Sequence, residues 1–267
     1  MSLPDYHSIT EIPGVGATEE QIERLVHRYR FALKYAIGKR VLEVACGSGL
    51  GMEFMKDKAL QIVGGDIDPA NISQVVALHG AAGVLLTRMD AHYLPFRKQV
   101  FDVVLLFESL YYLEQPKEFI REVMRILDDQ GRLIISTVNK NWLDFHPSPF
   151  TYSYFSVPEL FELLKGTFQE VQIFGAFPVQ RNSLKDRSVS LIKRIAVNLH
   201  LIPGSLTARS YLKRLFIGPL QPLPASINKI AVPYLPPDRI VPDAINEKFK
   251  IIYAVAAKGS AVAETGI

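Results

Sequence analysis

Three acids stand where apolar runs end. Glu43 sits inside Val41-Leu42-Glu43-Val44-Ala45, Asp66 follows the run Gln61 to Gly65, and Asp90 follows Val84 to Thr87. A carboxylate among apolar neighbours is costly unless something pairs with it. Asp66 comes 19 residues after Gly47, at the end of its run, where an acid can accept both hydroxyls of a ribose. Asp90, in Arg88-Met89-Asp90-Ala91, could take an amino proton from an adenine. Glu43 could receive a cationic part of a ligand, or could pair with a helix terminus as a purely structural acid. Asp68, beside Pro69, reads as a helix cap. Three acids so placed suit a nucleoside that lacks phosphates.

Between the first two acids lies a glycine-rich turn, Cys46-Gly47-Ser48-Gly49-Leu50-Gly51. Glycines there let a backbone approach a ligand and open amide groups at a helix start. A dinucleotide fingerprint would need a third glycine where Met52 stands, which argues against a nicotinamide oxidoreductase. A phosphate-gripping loop would need Gly-Lys-Ser or Gly-Lys-Thr, which is missing.

These residues need a scaffold that brings strand ends together. The chain has 267 residues, 48% of them hydrophobic and 21% charged, enough for one large α/β domain with its own core. Apolar runs at 41 to 45, 61 to 65, 84 to 87, 100 to 107 and 131 to 137 alternate with helical patterns, such as that from Pro116 to Leu127. This alternation predicts a buried parallel sheet with helices on both faces. Thr18 and Gln21, in capping-box spacing, open an amphipathic helix over 18–36 that ends at Gly38. Further strands are expected at 168 to 174 and 249 to 257. Between them residues 178–248 form a basic insertion, with 11 Lys or Arg against 4 Asp or Glu, while the whole chain carries only +3. Within it, 191 to 201 and 210 to 217 have helical patterns, and prolines break 219 to 242. Its charges interleave with apolar residues, so it could cover an acidic substrate, lie on an anionic membrane or simply be a solvated lid. Cys46 is the only cysteine, which excludes an internal disulfide and suits a reducing compartment. Without a basic start and apolar stretch, or a long apolar run, the expected setting is cytoplasmic.

The successive segments Glu43 to Gly51, Gly64-Gly65-Asp66-Ile67-Asp68-Pro69, Asp90-Ala91 with Leu94-Pro95-Phe96, Phe101-Asp102-Val103-Val104, and Leu127 to Ile135 resemble the motifs of class I S-adenosylmethionine-dependent methyltransferases. The likeness runs from about residue 27 to 140, and His27 to Ala32 resembles the helix before the first strand in one branch. The resemblance implies a Rossmann-like sheet of seven mostly parallel strands, ordered 3-2-1-4-5-7-6, with the last strand antiparallel and the insertion before it. It implies S-adenosylmethionine as cofactor: Asp66 on the ribose, Ile67 against the adenine, Asp90 and Ala91 at the adenine edge, and Gly47 beneath the methionine moiety. Arg28 and Tyr29 would reach toward the methionine carboxylate, and Glu43, Gly49 and Phe107 complete the cofactor set. Relatives often carry a histidine near Tyr111 or Tyr112 and Thr-Pro-Asn where this chain has Thr137-Val138-Asn139.

In such sheets the acceptor meets the loops after the fourth and fifth strands. Glu108, Tyr111, Tyr112, Asn139, Trp142 and His146 are there, followed by Phe150, Tyr152, Tyr154 and Phe155, which form either an acceptor wall or a packed cluster. His146 has a suitable pKa for deprotonating a hydroxyl, and Glu108 would serve if burial raises its own. The other histidines show no ligand spacing, so no metal is expected. The Asn- or Asp-Pro-Pro-aromatic sequence of base-methylating relatives is replaced by Phe107-Glu108-Ser109-Leu110, which excludes nucleic acid as the expected partner. The expected activity is O-methylation of a small molecule, or of a sugar in a glycan or lipid-linked intermediate. The alternatives are N- or C-methylation, and a cofactor-binding protein without turnover.

Overall fold

The structure, a computed structural model, describes residues 6–80, 84–148, 150–179 and 219–259. A turn at Tyr6–Ile9 and the short strand β1 (Gly16–Ala17) precede helix α1 (Glu19–Ala36). The helix begins as its sequence predicts: Thr18 Oγ1 accepts from Gln21 N at 3.1 Å, and Thr18 N donates to Gln21 Oε1 at 2.9 Å. Such caps are worth about 1 kcal/mol. There follow β2 (Arg40–Val44), α2 (Met52–Lys56), β3 (Gln61–Asp66), α3 (Pro69–His79), β4 (Leu85–Arg88), β5 (Phe101–Phe107), α4 (Pro116–Ile126) and β6 (Leu127–Val138). The remainder comprises α5 (Val157–Lys165), β7 (Glu170–Pro178), β8 (Gln221–Pro222), β9 (Asp238–Arg239) and β10 (Phe249–Ala257).

The main sheet has the order β4-β3-β2-β5-β6-β10-β7-β9. Its strands are parallel from β4 to β6, and β10 is antiparallel to both β6 and β7. Counted from β2, this is the expected 3-2-1-4-5-7-6 order with an antiparallel last strand. The two-residue β9 adds an eighth strand at the edge, antiparallel to β7. The sixth expected strand begins two residues later than its apolar run and extends to Pro178, because β10 pairs along its whole length, up to Phe249 opposite Pro178. Likewise β6 starts at Leu127, earlier than expected, where Leu127 already pairs with Phe101.

Alternate residues along the strands supply two cores. Val41, Val103 and Leu105 pack with Leu25, Val26 and Phe31 of α1, Met52 and Met55 of α2, and Val75 of α3. Leu42, Val104 and Leu106 face the other way, onto Phe119, Ile120 and Val123 of α4 and Leu160 of α5. A period of two in the strands thus feeds both faces of one sheet.

Of the basic insertion, residues 180–218 lie outside the described residues, and with them both helical patterns at 191 to 201 and 210 to 217. The described remainder returns along the outer side of α1. β8 pairs with β1, Arg30 donates to the Val232 carbonyl at 2.6 Å, and His27 Nε2 lies 2.8 Å from the Leu235 carbonyl before β9 joins the sheet edge. No described helix is long and apolar enough to cross a membrane.

Candidate active site

A cavity of about 490 Å³ opens at the carboxyl ends of β2, β3 and β5, where strand order reverses and a doubly wound sheet leaves a crevice. Glu43, Gly47, Asp66, Ile67, Asp90, Ala91 and Phe107 all line it, together with Arg28 and Tyr29 from α1. Gly49 is not in its wall. Gly49 adopts φ +73°, and a Cβ there would meet Val75 at 2.8 Å, so its place in the motif serves the turn and the close approach of α3. Gly51 answers to a different neighbour: a Cβ on it would lie 2.0 Å from the Tyr29 ring.

Of the three acids, Glu43 and Asp66 are buried and Asp90 is half-exposed. Asp66 is 6% exposed; its Oδ2 accepts from Gly47 N at 2.9 Å and its Oδ1 from Asp68 N at 2.9 Å and Asn71 Nδ2 at 3.2 Å. Burial raises its pKa, against the lowering effect of those donors. Asp68 caps α3 as expected, accepting from Ala70 N at 2.9 Å. Asp90 accepts from the backbone of His92 at 2.9 Å and lies 2.6 Å from His92 Nδ1, which orients its carboxylate at the cavity edge.

Glu43 is not paired with a helix terminus. The Tyr29 hydroxyl donates to its Oε1 at 2.5 Å, while Oε2 is buried with no hydrogen-bond partner among the described residues. Burial pushes its pKa up to about 7, with Tyr29 and Arg28 pulling the other way. A buried carboxylate oxygen without a donor, in a cavity wall, is what a cationic ligand group would satisfy. The residues thus fit S-adenosylmethionine, a cationic nucleoside. Arg28 is paired with Glu11; burial opposes its charge, and Glu11 beside it more than offsets this, leaving the guanidinium pKa raised. Its Nε has no hydrogen-bond partner among the described residues.

The opposite half gathers Glu108, Tyr111, Tyr112, Ser148 and Tyr152 with Gln21 and Arg24 of α1. Glu108 has φ +50°, a left-handed backbone that directs the residue after β5. Ser136 Oγ donates to its Oε1 at 2.8 Å and the Tyr111 hydroxyl to its Oε2 at 3.3 Å. Burial raises its pKa, and Arg28, Ser136 and Arg24 oppose this only in part. Tyr111 stacks on Tyr154 at 4.5 Å and meets Tyr112 edge-on at 4.6 Å, so the aromatic segment both packs and, through Tyr152, walls the cavity.

His146 is not brought to this place: its side chain is exposed and forms no part of the wall. Only the first part of the loop after β6 stays out of the wall, which Ser148 and Tyr152 re-enter; at its start Asn139, fully buried, spends its amide on the carbonyls of Asn246 at 2.6 Å and Phe249 at 2.8 Å. Asn139 is therefore a clamp between β6 and β10 rather than an acceptor contact, and Trp142 is likewise outside the wall, under the Lys250 ammonium. Sequence reasoning missed Tyr6, Ile9, Thr10 and Glu11, which close one side of the cavity. They are held there by His7, whose N donates to Asp68 Oδ2 at 3.1 Å, and by the Ser48 hydroxyl on the Glu11 carbonyl. No local pattern announces this. His92 was detectable only through its spacing from Asp90.

The methyltransferase-domain family model matches residues 42–135. A Mycolicibacterium smegmatis protein named "Probable S-adenosylmethionine-dependent methyltransferase" is 30% identical over 156 residues, 56% of each chain. The ubiquinone biosynthesis O-methyltransferase of Pseudomonas fluorescens strain SBW25 is 28% identical over 134 residues, 49% of this chain and 56% of that one. The chain spans about half the length of the curated relatives it matches. The YcgJ protein of Bacillus subtilis, at 17% identity, shares the fold with a TM-score of 0.55 over 88% of this chain and 99% of its own. The strand ends that carry Glu43, Asp66 and Asp90 all fall inside the segment, residues 42–135, that matches the methyltransferase-domain model.

Proposed function

We propose that the protein methylates an oxygen of a small-molecule acceptor, with Glu108 taking the hydroxyl proton. The observation that carries this reading is the half-buried Glu108 carboxylate, which lines the same cavity as Glu43, Asp66 and Asp90, is held by Ser136 and Tyr111 and is raised in pKa by desolvation. S-adenosylmethionine, when bound, would supply an electrophilic sulfonium methyl group, open to in-line attack by the acceptor oxygen with the neutral thioether as leaving group. Asp66 and Asp90 would hold the ribose and adenine, and the orphaned Glu43 oxygen would meet a cationic group.

The acceptor half has two tasks. The tyrosine wall of Tyr111, Tyr112 and Tyr152 would orient the acceptor, and orientation alone can supply about 7–11 kcal/mol of a displacement barrier. Glu108 would then accept the hydroxyl proton; a carboxylate whose pKa burial has raised is a better base near neutral pH than an exposed one. The likeness to an O-methyltransferase of ubiquinone biosynthesis supports oxygen as the acceptor atom.

Calorimetry with S-adenosylmethionine, followed by a labelled-methyl screen of phenols, sugars and amines, tests the proposal. Binding of the cofactor with transfer to hydroxyl acceptors, abolished in Glu108→Gln, supports it. Transfer confined to amines, or undiminished by that substitution, moves the assignment to N-methylation. Binding without transfer to any acceptor favours a cofactor-dependent interaction protein.

A further inference from the structure

We infer that Ser136, Tyr253 and His27 form a buried proton relay leading from Glu108 into the body of the protein. The inference rests on the reading of Glu108 as the group that takes the acceptor's proton. Ser136 Oγ lies 2.8 Å from Glu108 Oε1. Tyr253 of β10 stands directly opposite Ser136 of β6 in the antiparallel pairing, which sets the two side chains side by side on one face of the sheet. The Tyr253 hydroxyl lies 2.8 Å from His27 Nδ1, and His27 Nε2 lies 2.8 Å from the Leu235 carbonyl. Ser136 and Tyr253 are each 1% exposed and His27 7%, so bulk water does not interrupt the chain.

The direction of the chain follows from its last member. A carbonyl oxygen can only accept, so His27 Nε2 carries a proton and Nδ1 of the neutral ring presents a lone pair to Tyr253. Hydroxyls both donate and accept, which gives the line two arrangements. With the proton on Glu108, the carboxyl donates to Ser136, Ser136 to Tyr253, and Tyr253 to His27 Nδ1. With the proton on His27, the imidazolium donates to Tyr253, Tyr253 to Ser136, and Ser136 to an ionised Glu108. Passing from the first to the second breaks one O–H bond on each of Glu108, Ser136 and Tyr253. It forms one O–H bond on Ser136 and one on Tyr253, and an N–H bond on His27. No oxidant or co-reactant is required, and the same steps in reverse return the proton to Glu108 at the cavity wall after turnover.

A satisfied core histidine would explain the ring's burial among Phe177, Tyr234 and Tyr253, but not a buried succession of two hydroxyls, set side by side across the β6–β10 pairing, between it and a carboxylate in the cavity wall. Burial raises the pKa of Glu108 and lowers that of His27, bringing their proton affinities toward each other. The charged groups nearby are Arg30, which opposes a charge on His27, and Arg28, Arg24 and Glu11 around Glu108. None of them interrupts the line. The insertion has a part in it too, since Leu235 fixes the tautomer of His27.

The test needs no acceptor. The Nδ1 nitrogen shift of His27 and the protonated-carboxyl infrared band of Glu108, assigned with Glu108→Gln, are followed against pH in the full chain. The relay predicts that Glu108→Gln lowers the His27 midpoint by about one pH unit, because the anion at the other end is gone. It also predicts that the same substitution has no such effect in a Tyr253→Phe background, which keeps the ring but cuts the line. An equal effect in both backgrounds means coupling through space alone and overturns the relay, as does a His27 Nδ1 signal indifferent to Glu108. Thermal melts identify a variant that fails to fold, and Ser136→Ala then cuts the line at its other joint. Because these readouts require no turnover, the relay can fail while Glu108 remains the base, and a null result for Glu108→Gln in the transfer assay would leave the relay measurement standing.

Discussion

The two halves of the cavity are built by different means. Glu43, Asp66 and Asp90 follow or end β2, β3 and β4, and each lies a fixed few residues from a turn. Their partners are mainly local: Asp66 is held by Asp68 and Asn71 two and five residues on, and Asp90 by His92 two residues on. Glu108 is held instead by Ser136, 28 residues away, and shares its cavity with Arg24, Ser148 and Tyr152 from unrelated segments. A site made of strand-end residues can be inherited as a motif, whereas one assembled from distant segments is free to differ between relatives. The segment that matches the methyltransferase-domain model, residues 42–135, takes in all three acids and also Glu108, Tyr111 and Tyr112, whereas Ser136, Ser148 and Tyr152 lie beyond it.

Substitutions should separate the halves by what they change. The largest effect is expected at Glu108→Gln, which should lower turnover of a hydroxyl acceptor by about 10²- to 10⁴-fold while leaving cofactor affinity nearly unchanged in calorimetry. If both fall together, Glu108 belongs to the cofactor half and the division is drawn in the wrong place. Asp66→Ala should weaken S-adenosylmethionine binding by about 2–4 kcal/mol, since two ribose hydroxyls lose a charged acceptor. Undiminished affinity would remove Asp66 from the ribose.

Glu43 gives a pH-dependent contrast. Its folded pKa of about 7 lies above the ordinary carboxylate value of 4.5, so between these limits the folded chain binds more protons than the unfolded one. Stability from this group is therefore present below pH 4.5 and is lost as pH rises toward 7, by at most about 3 kcal/mol. Melting temperatures measured across that window should decline less in Glu43→Gln than in the native chain. A parallel decline would show that Glu43 is already ionised in the folded state.

Asp90→Ala should cost about 1 kcal/mol of cofactor affinity, less than Asp66→Ala, because a single amino hydrogen bond is at stake. A larger loss than at Asp66 would reverse the two roles. The smallest effect is expected at His146→Ala: an exposed side chain outside the cavity should change neither turnover nor affinity measurably, and stability by no more than about 0.5 kcal/mol. A drop in turnover there would mean that His146 joins Ser148 and Tyr152 at the acceptor.

Much of the fold was legible because its signals are local. Thr18 and Gln21 announce the start of α1, unbroken apolar runs mark buried strands, and β10 lies just where its run of apolar residues does. The acids of the cofactor half were legible for the same reason, since a charge at the end of an apolar run needs a partner. That His146 lies outside the cavity was not legible, because position after a strand does not tell which residues of a loop face inward; here the amide of Asn139 ties β6 to β10, and Ser148 and Tyr152, not His146, return to the wall. Gly49 was read as a ligand contact although its conformation answers to Val75.

By itself, then, the sequence determined an α/β sheet of buried parallel strands and the start of α1, because periodicity and capping act over a few residues, while the strand order and the cofactor followed from the family resemblance. Only the tertiary structure decided that Tyr29 rather than a helix end meets Glu43, that residues 6–11 close the cavity, and that Glu108, Ser136, Tyr253 and His27 stand in one line. The reason is physical. Those contacts join residues as far as 226 positions apart, and their geometry is set by the register of β6 against β10 and the packing of α1 on the sheet, neither of which any local stretch of residues specifies.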